Sequence, residues 1–132
     1  MKKLALLFAV LLFAGCATVG TQTEVINAEF SIESWSPFER DEGGVNGWFG
    51  MRNIGNVEIG YFEVSFEVIC EDGMRYIGKS WGPANTLGDF YEGKVGMPVP
   101  VGVTYNGLFT VTTYGSKPTS VRIYDWRIMQ YY

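Results

Sequence analysis

No histidine occurs anywhere in this 132-residue chain, which removes the usual general base, the usual catalytic triad and the commonest zinc ligand together. The remaining raw material for chemistry is paired carboxylates: Asp41-Glu42, Glu71-Asp72, and Asp89 with Glu92. Two carboxylates about 5 Å apart, or about 6.5–9.5 Å apart, could hydrolyse a glycoside. Loop carboxylates such as Asp41, Glu42, Asp89 and Glu92 could also supply oxygens to calcium. All of these residues fall in or beside expected turns, where solvated acids are ordinary, and no EF-hand spacing is present. No Gly-x-Ser-x-Gly motif marks a serine as nucleophile. The expectation is a protein that is not an enzyme, with no metal and no cofactor.

The two cysteines, Cys16 and Cys70, carry more information. Met1-Lys2-Lys3 is a short basic opening, followed by an apolar run from Leu4 to Ala14 with no further charge until Glu24. A membrane span needs about 20 apolar residues, whereas a secretory signal needs roughly 7–15, so the run predicts a cleaved signal peptide. Phe13-Ala14-Gly15-Cys16 resembles the lipobox of bacterial lipoproteins, in which an aliphatic residue and two small residues precede a lipidated cysteine. Phe13 stands where leucine is usual, with Leu12 one place earlier. The resemblance implies cleavage before Cys16, a diacylglycerol thioether on its sulfur and an acyl chain (such as palmitate) on the new amine. Two or more chains anchor stably, whereas one binds only marginally. It further implies a place in the cell envelope; Ala17, where an aspartate would favour the inner membrane, points to the outer membrane facing the periplasm, with the cell surface as the other option. The residues alone also allow an ordinary secretory signal in which Cys16 stays a thiol or pairs with Cys70.

The expected organisation is a signal peptide over 1–15, the lipidated cysteine and a small, polar tether over 16–23, and one domain over 24–132. Removing Lys2 and Lys3 leaves eight basic against fourteen acidic residues, a net charge of −6. That balance repels phosphate backbones, so no nucleic-acid partner is expected. About 115 residues after cleavage is near the common size of one domain, and aromatics at 16% of the chain exclude disorder outside the tether.

Alternation of apolar and polar residues, the signature of half-buried strands, governs the rest. Ile26, Ala28, Phe30 and Ile32 share one face, and 34–44 reads as a loop. Val45, Gly47, Phe49 and Met51 alternate next, up to a turn at Asn53-Ile54-Gly55-Asn56. Phe62, Val64, Phe66, Val68 and Cys70 form the clearest stripe, with Glu63, Ser65, Glu67 and Ile69 opposite. Asp72-Gly73 predicts a hairpin into a strand over 74–81. A weaker, Gly- and Pro-interrupted edge strand is predicted over 90–99, then strands over 103–114 and 121–131. In the last, apolar residues occupy both faces, which a bulge or burial on two sides would explain. About seven strands with frequent turns and no amphipathic helix predict an all-β, antiparallel immunoglobulin-like sandwich, with a lipocalin- or OB-like barrel as the second choice.

Val45-Asn46-Gly47, Asn53-Ile54-Gly55 and Asp72-Gly73 occur in the order of a Val-x-Gly strand, an Asn-x-Gly turn and an acidic-Gly turn. In this the segment resembles the FxLYD group of small bacterial immunoglobulin-like domains. Ile69-Cys70-Glu71 stands where that group has its tyrosine and aspartate. The resemblance implies a fold and transfers no functional residue.

Four tryptophans, Trp35, Trp48, Trp81 and Trp126, are the candidate ligand or partner surface. Large aromatics anchor protein interfaces and can stack on sugar rings; they also pack cores. The functional expectation is a membrane-anchored, non-catalytic envelope lipoprotein that docks a protein partner, with strand addition at the 90–99 edge as one mechanism. The alternative is a carbohydrate- or peptidoglycan-binding lipoprotein using surface tryptophans.

Overall fold

Phe62, Val64, Phe66, Val68 and Cys70 recur at every second position and all five are buried, so the strand that carries them sits in the middle of the domain. This is β3 (Ile59–Cys70). Around it the chain forms β1 (Ala28–Pro37), β2 (Gly44–Asn53), β4 (Arg75–Gly82), a six-residue helix α1 (Leu87–Glu92), β5 (Thr104–Thr112) and β6 (Pro118–Tyr131). The computed structural model describes residues 23–38 and 42–131; the signal segment, Cys16 and Asp41 lie outside them.

Two antiparallel three-stranded sheets result, ordered β1-β2-β5 and β4-β3-β6. The second strand pairs with the fifth in one sheet and the third with the sixth in the other, the crossing that immunoglobulin-type sandwiches share. The core lies between the sheets. Phe66 stacks on Phe109 at 4.1 Å between centroids, Phe49 meets Phe66 at 5.4 Å, and Tyr105 stands edge-on to Phe62 at 5.8 Å. Glycines in the inward rows make room for these rings. A Cβ on Gly47 would stand 2.4 Å from the Phe109 ring, and one on Gly107 2.5 Å from Phe49. Along one side Phe30 of β1 packs on Trp126 of β6 at 5.0 Å; along the other, Ser80 Oγ of β4 donates to the Leu108 carbonyl of β5 at 2.6 Å.

Three expectations need correction. Among the described residues there are six strands rather than about seven: the segment predicted as an edge strand over 90–99 forms the second half of α1 and an irregular return, in which Val99 bridges to Ile59. Thr86 caps the helix and Gly93 ends it in the left-handed region at φ 69°, so local capping chemistry overrides the weak alternation. Strand addition at that edge has no strand to add to. Residues 34–37, read as loop, continue β1 past a bulge between Ile32 and Ser34; an edge strand tolerates Pro37, which lacks an N–H to donate. The two-faced pattern near the C-terminus is a bulge, as one of the sequence readings has it: Asp125 pairs with Ser65 and Ile123 with Phe66, skipping Tyr124. The phase shift keeps Val121 and Ile123 on one side of the bulge, and Trp126 and Ile128 on the other, packed against the core.

The predicted hairpin at Asp72-Gly73 is present, closed by Cys70 N–H to the Met74 carbonyl at 2.9 Å. Cys70 is a free, buried thiol whose pKa burial pushes up. At the opposite end of the sandwich, fully buried Asn53 ties three segments together. Its amide nitrogen donates to the carbonyls of Val57 (2.8 Å) and Val99 (3.0 Å), and its Oδ1 accepts from Gly55 N–H (3.0 Å). Its own backbone bonds to Val103 and Gly102.

Because Phe66 is wholly buried between Phe49 and Phe109, Phe66→Ala is expected to lower the unfolding free energy by about 3–5 kcal/mol. The change at exposed Met97, Met97→Ala, should stay within about 0.5 kcal/mol. Urea denaturation followed by tryptophan fluorescence measures both.

Candidate functional site

The β4–β5 connection is built by local hydrogen bonds. Thr86 Oγ1 accepts from Asp89 N–H at 3.0 Å to start α1, Asn85 Oδ1 accepts from Met97 N–H at 2.9 Å, and Gly96 N–H reaches the Pro83 carbonyl at 2.6 Å. Ala84 N–H donates to Tyr105 Oη at 2.9 Å, fastening the connection to β5; burial raises the Tyr105 pKa, against the lowering pull of its bond to Ala84. No residue of α1 is buried. The helix therefore leaves its apolar side chains at the surface, with Leu87 about half and Tyr91 about three-quarters exposed.

Two shallow clefts border this element, and a third lies beyond Trp48. One, of about 180 Å³, lies between Trp48, α1 and the Tyr105–Leu108 stretch of β5. The second, of about 200 Å³, lies between Tyr61, Trp81, Pro83 and Tyr91. The third, of about 320 Å³, is floored by 34–36 and 46–48 with Leu108. Trp48 and Leu108 wall both the first and third; Ala84 and Phe90 wall both the first and second. The three clefts thus adjoin through shared walls, forming a stepped furrow along the β4/β5 side of the sandwich. Its rim mixes exposed rings with Asn46, Asn85, Thr86 and Asn106.

The four tryptophans part company. Trp48 pairs with Leu108, in the outward row of its sheet, and is about half exposed. Trp81 lies on the outer face of the other sheet, 43% exposed, with Nε1 donating to Glu63 Oε2 at 2.9 Å. Both line the furrow, Trp48 between its first and third clefts and Trp81 in its second. Trp35 pairs with inward-row Gly47 at the end of β1, so it lies in the opposite row from Trp48 although it borders the third cleft. Trp126 is partly buried and packs against Phe30.

Sequence reasoning misses the organisation of the outer face of the β4-β3-β6 sheet. Glu63 and Glu67, on the polar row of β3, have their side chains almost wholly covered. Arg122 grips Glu67 through Nε at 2.6 Å and Nη2 at 3.2 Å, and Arg75 Nε bonds its other side. Lys79 at 3.2 Å and Arg127 at 3.3 Å flank Glu63. The Arg75 and Arg122 guanidiniums also lie over the Tyr124 ring, at 5.1 and 5.8 Å. For Glu67 the Arg122 hydrogen bonds, helped by Arg75, hold the carboxyl below its ordinary range against the opposing effect of burial. Burial alone would raise Glu63, but hydrogen bonds from Trp81, Lys79 and Arg127 outweigh it and leave that pKa lowered. The alternation of β3 displays both glutamates, but their cations come from β4 and β6, 8 to 64 residues away.

Of the carboxylates singled out for chemistry, Glu71, Asp72 and Glu92 have structural partners, Glu71 through Lys117 at 3.9 Å. Asp72 accepts from Met74 N–H at 3.0 Å and Ser116 Oγ at 2.8 Å, which lowers its pKa. Glu92 pairs with Lys94 at 2.5 Å, and Asp89 sits in the first turn of α1. Among the described residues no three Asp, Glu, Cys or His side chains are grouped so as to hold a metal, and no helix is long and apolar enough to cross a membrane.

No protein-family model, no curated protein and no solved structure matches the chain.

The depressed carboxyls of Glu63 and Glu67 stabilise the fold above the ordinary glutamate pKa of about 4.3, and that contribution is lost as pH falls through their lower folded values. Wild-type stability should therefore decline on acidification below about pH 4. The double variant Glu63→Gln, Glu67→Gln should be less stable than wild type at neutral pH and lose less on acidification. Denaturation midpoints across the pH series give both slopes.

Proposed function

We propose that this protein is a lipid-anchored envelope lipoprotein that acts without catalysis, docking a protein partner along the furrow between Trp48 and Trp81. One observation carries the reading: exposed Trp48, Leu87, Tyr91 and Trp81 lie along adjoining clefts beside the surface helix α1. A run of large exposed apolar side chains is what partner surfaces have, and partly rigid aromatics are their strongest anchors. Lipidation at Cys16, which the lipobox resemblance supports, would hold that surface at a membrane face.

A second reading has its own support. Trp48 is bordered by Asn46, Asn85 and Asn106, and a ring face beside amide groups suits a sugar, which stacks through its apolar face and hydrogen-bonds through its hydroxyls.

Crosslinking and affinity capture of the full-length protein from its native membrane separates them. The first reading expects a stoichiometric protein that binds about tenfold or more weakly to a Trp48→Ala, Trp81→Ala variant. Co-purification of glycan alone would replace it with the second. An unchanged protein yield with the variant would remove the furrow from the interface. Trp126 is left intact because its loss would open the packing on Phe30.

A further inference from the structure

The end of the sandwich organised by Asn53 is also the end at which the chain enters from the direction of Cys16. Thr23 O accepts from Asn56 Nδ2 at 3.3 Å, Val25 N–H donates to Asn56 Oδ1 at 2.5 Å, and Ile54 N–H reaches the Asn27 carbonyl at 3.1 Å. The tight return at 99–103 is fastened to the same site by Asn53 N–H to the Val103 carbonyl at 3.1 Å and Gly102 N–H to the Asn53 carbonyl at 2.8 Å. Three hydrogen-bonded segments thus meet at one tip. Each turns aliphatic side chains outward: Val25, Ile54, Val101 and Val103 are all about half exposed. The tip is held in shape from below by a buried amide, and its outward groups leave about half of their surface to solvent.

From this geometry we infer that the Asn53 tip is a lipid-contacting foot, resting in the interface of the membrane to which Cys16 tethers the chain. This rests on the lipid-anchored reading above. Six residues separate Cys16 from Thr23, so seven Cα-to-Cα steps span at most about 25 Å. An anchored Cys16 therefore keeps the tip near the bilayer, and no other apolar end of the domain is tied so close to it among the described residues. Aliphatic groups on a membrane-facing surface settle about 5–10 Å into the headgroup boundary. Glu24 and Glu58 beside the tip are exposed, so the surface that suits it is zwitterionic rather than anionic. The far end, at the β3–β4 and β5–β6 turns, would point away by roughly 35 Å, the length of β3, and the furrow would stand upright on the membrane.

The test uses the full-length lipidated protein in phosphatidylcholine vesicles that carry nitroxide lipids. A fluorophore is placed through Val101→Cys at the tip or Lys117→Cys at the far end; Cys70 is buried and does not compete. The inference expects loss of most fluorescence at 101 and little change at 117. An added Ile54→Asp, Val103→Asp pair should restore the signal at 101 while the protein still floats with the vesicles. An unquenched 101 label on floating protein, or equal quenching at both sites, would overturn the foot and leave the anchor standing. Protein that fails to float would overturn the anchor, and the foot with it.

Discussion

A carboxylate removed from water is costly unless its charge and lone pairs are met, and β3 removes two. Its inner row is hydrocarbon and aromatic; its outer row holds Glu63 and Glu67, each between two cations from the flanking strands. This constraint fixes the register of the whole sheet. A slip of one residue would turn the glutamates into the core and the phenylalanines into water, and it would also part the carboxylates from Arg75, Lys79, Arg122 and Arg127. The bulge at Tyr124 follows from the same demand, since it lets β6 present Arg122 and Arg127 outward while Val121, Ile123, Trp126 and Ile128 all reach the core. With β3 so placed, β2 and β5 close over it, and Gly47 and Gly107 admit the rings that fill the gap.

The parts of the domain legible in the sequence are those ruled by period two. β2, β3, β4 and the hairpin at Asp72-Gly73 lie within a few residues of where alternation and turn chemistry put them. The 90–99 segment escapes the alternation rule because a capped six-residue helix is too short to show a helical period; Thr86 followed by Asp89, with Gly93 beyond, is its signal in the sequence. β1 ran past its expected end because a bulge interrupts alternation without interrupting pairing. The tryptophans illustrate a different limit. Periodicity assigns Trp48 to the outward row, but whether Trp48 and Trp81 share a furrow depends on how two sheets and a connection meet. The ion pairs of β3 are non-local in the same way.

Across the molecule, exposed apolar side chains gather beside the outer ends of strands and on the irregular connections. Both sheets are occupied with the core and with the charge network on β3. On the irregular β4–β5 connection and on the tip fastened by Asn53, side chains such as Leu87, Tyr91, Ile54 and Val101 stay exposed on well-bonded backbone. Loops carried on a rigid sandwich are the usual seat of binding. The two surfaces suit different neighbours: large rings beside amides along the furrow, small aliphatics beside the tether at the tip.

Both the tethered furrow and the foot depend on the anchor at Cys16, and its most direct measurement is the intact mass of the mature protein extracted from its native membrane, with its N-terminal peptide sequenced by fragmentation. The account predicts a chain that begins at Cys16 and carries a diacylglycerol thioether and an amide-linked acyl chain. A chain that begins elsewhere, or an unmodified Cys16 thiol, would contradict it.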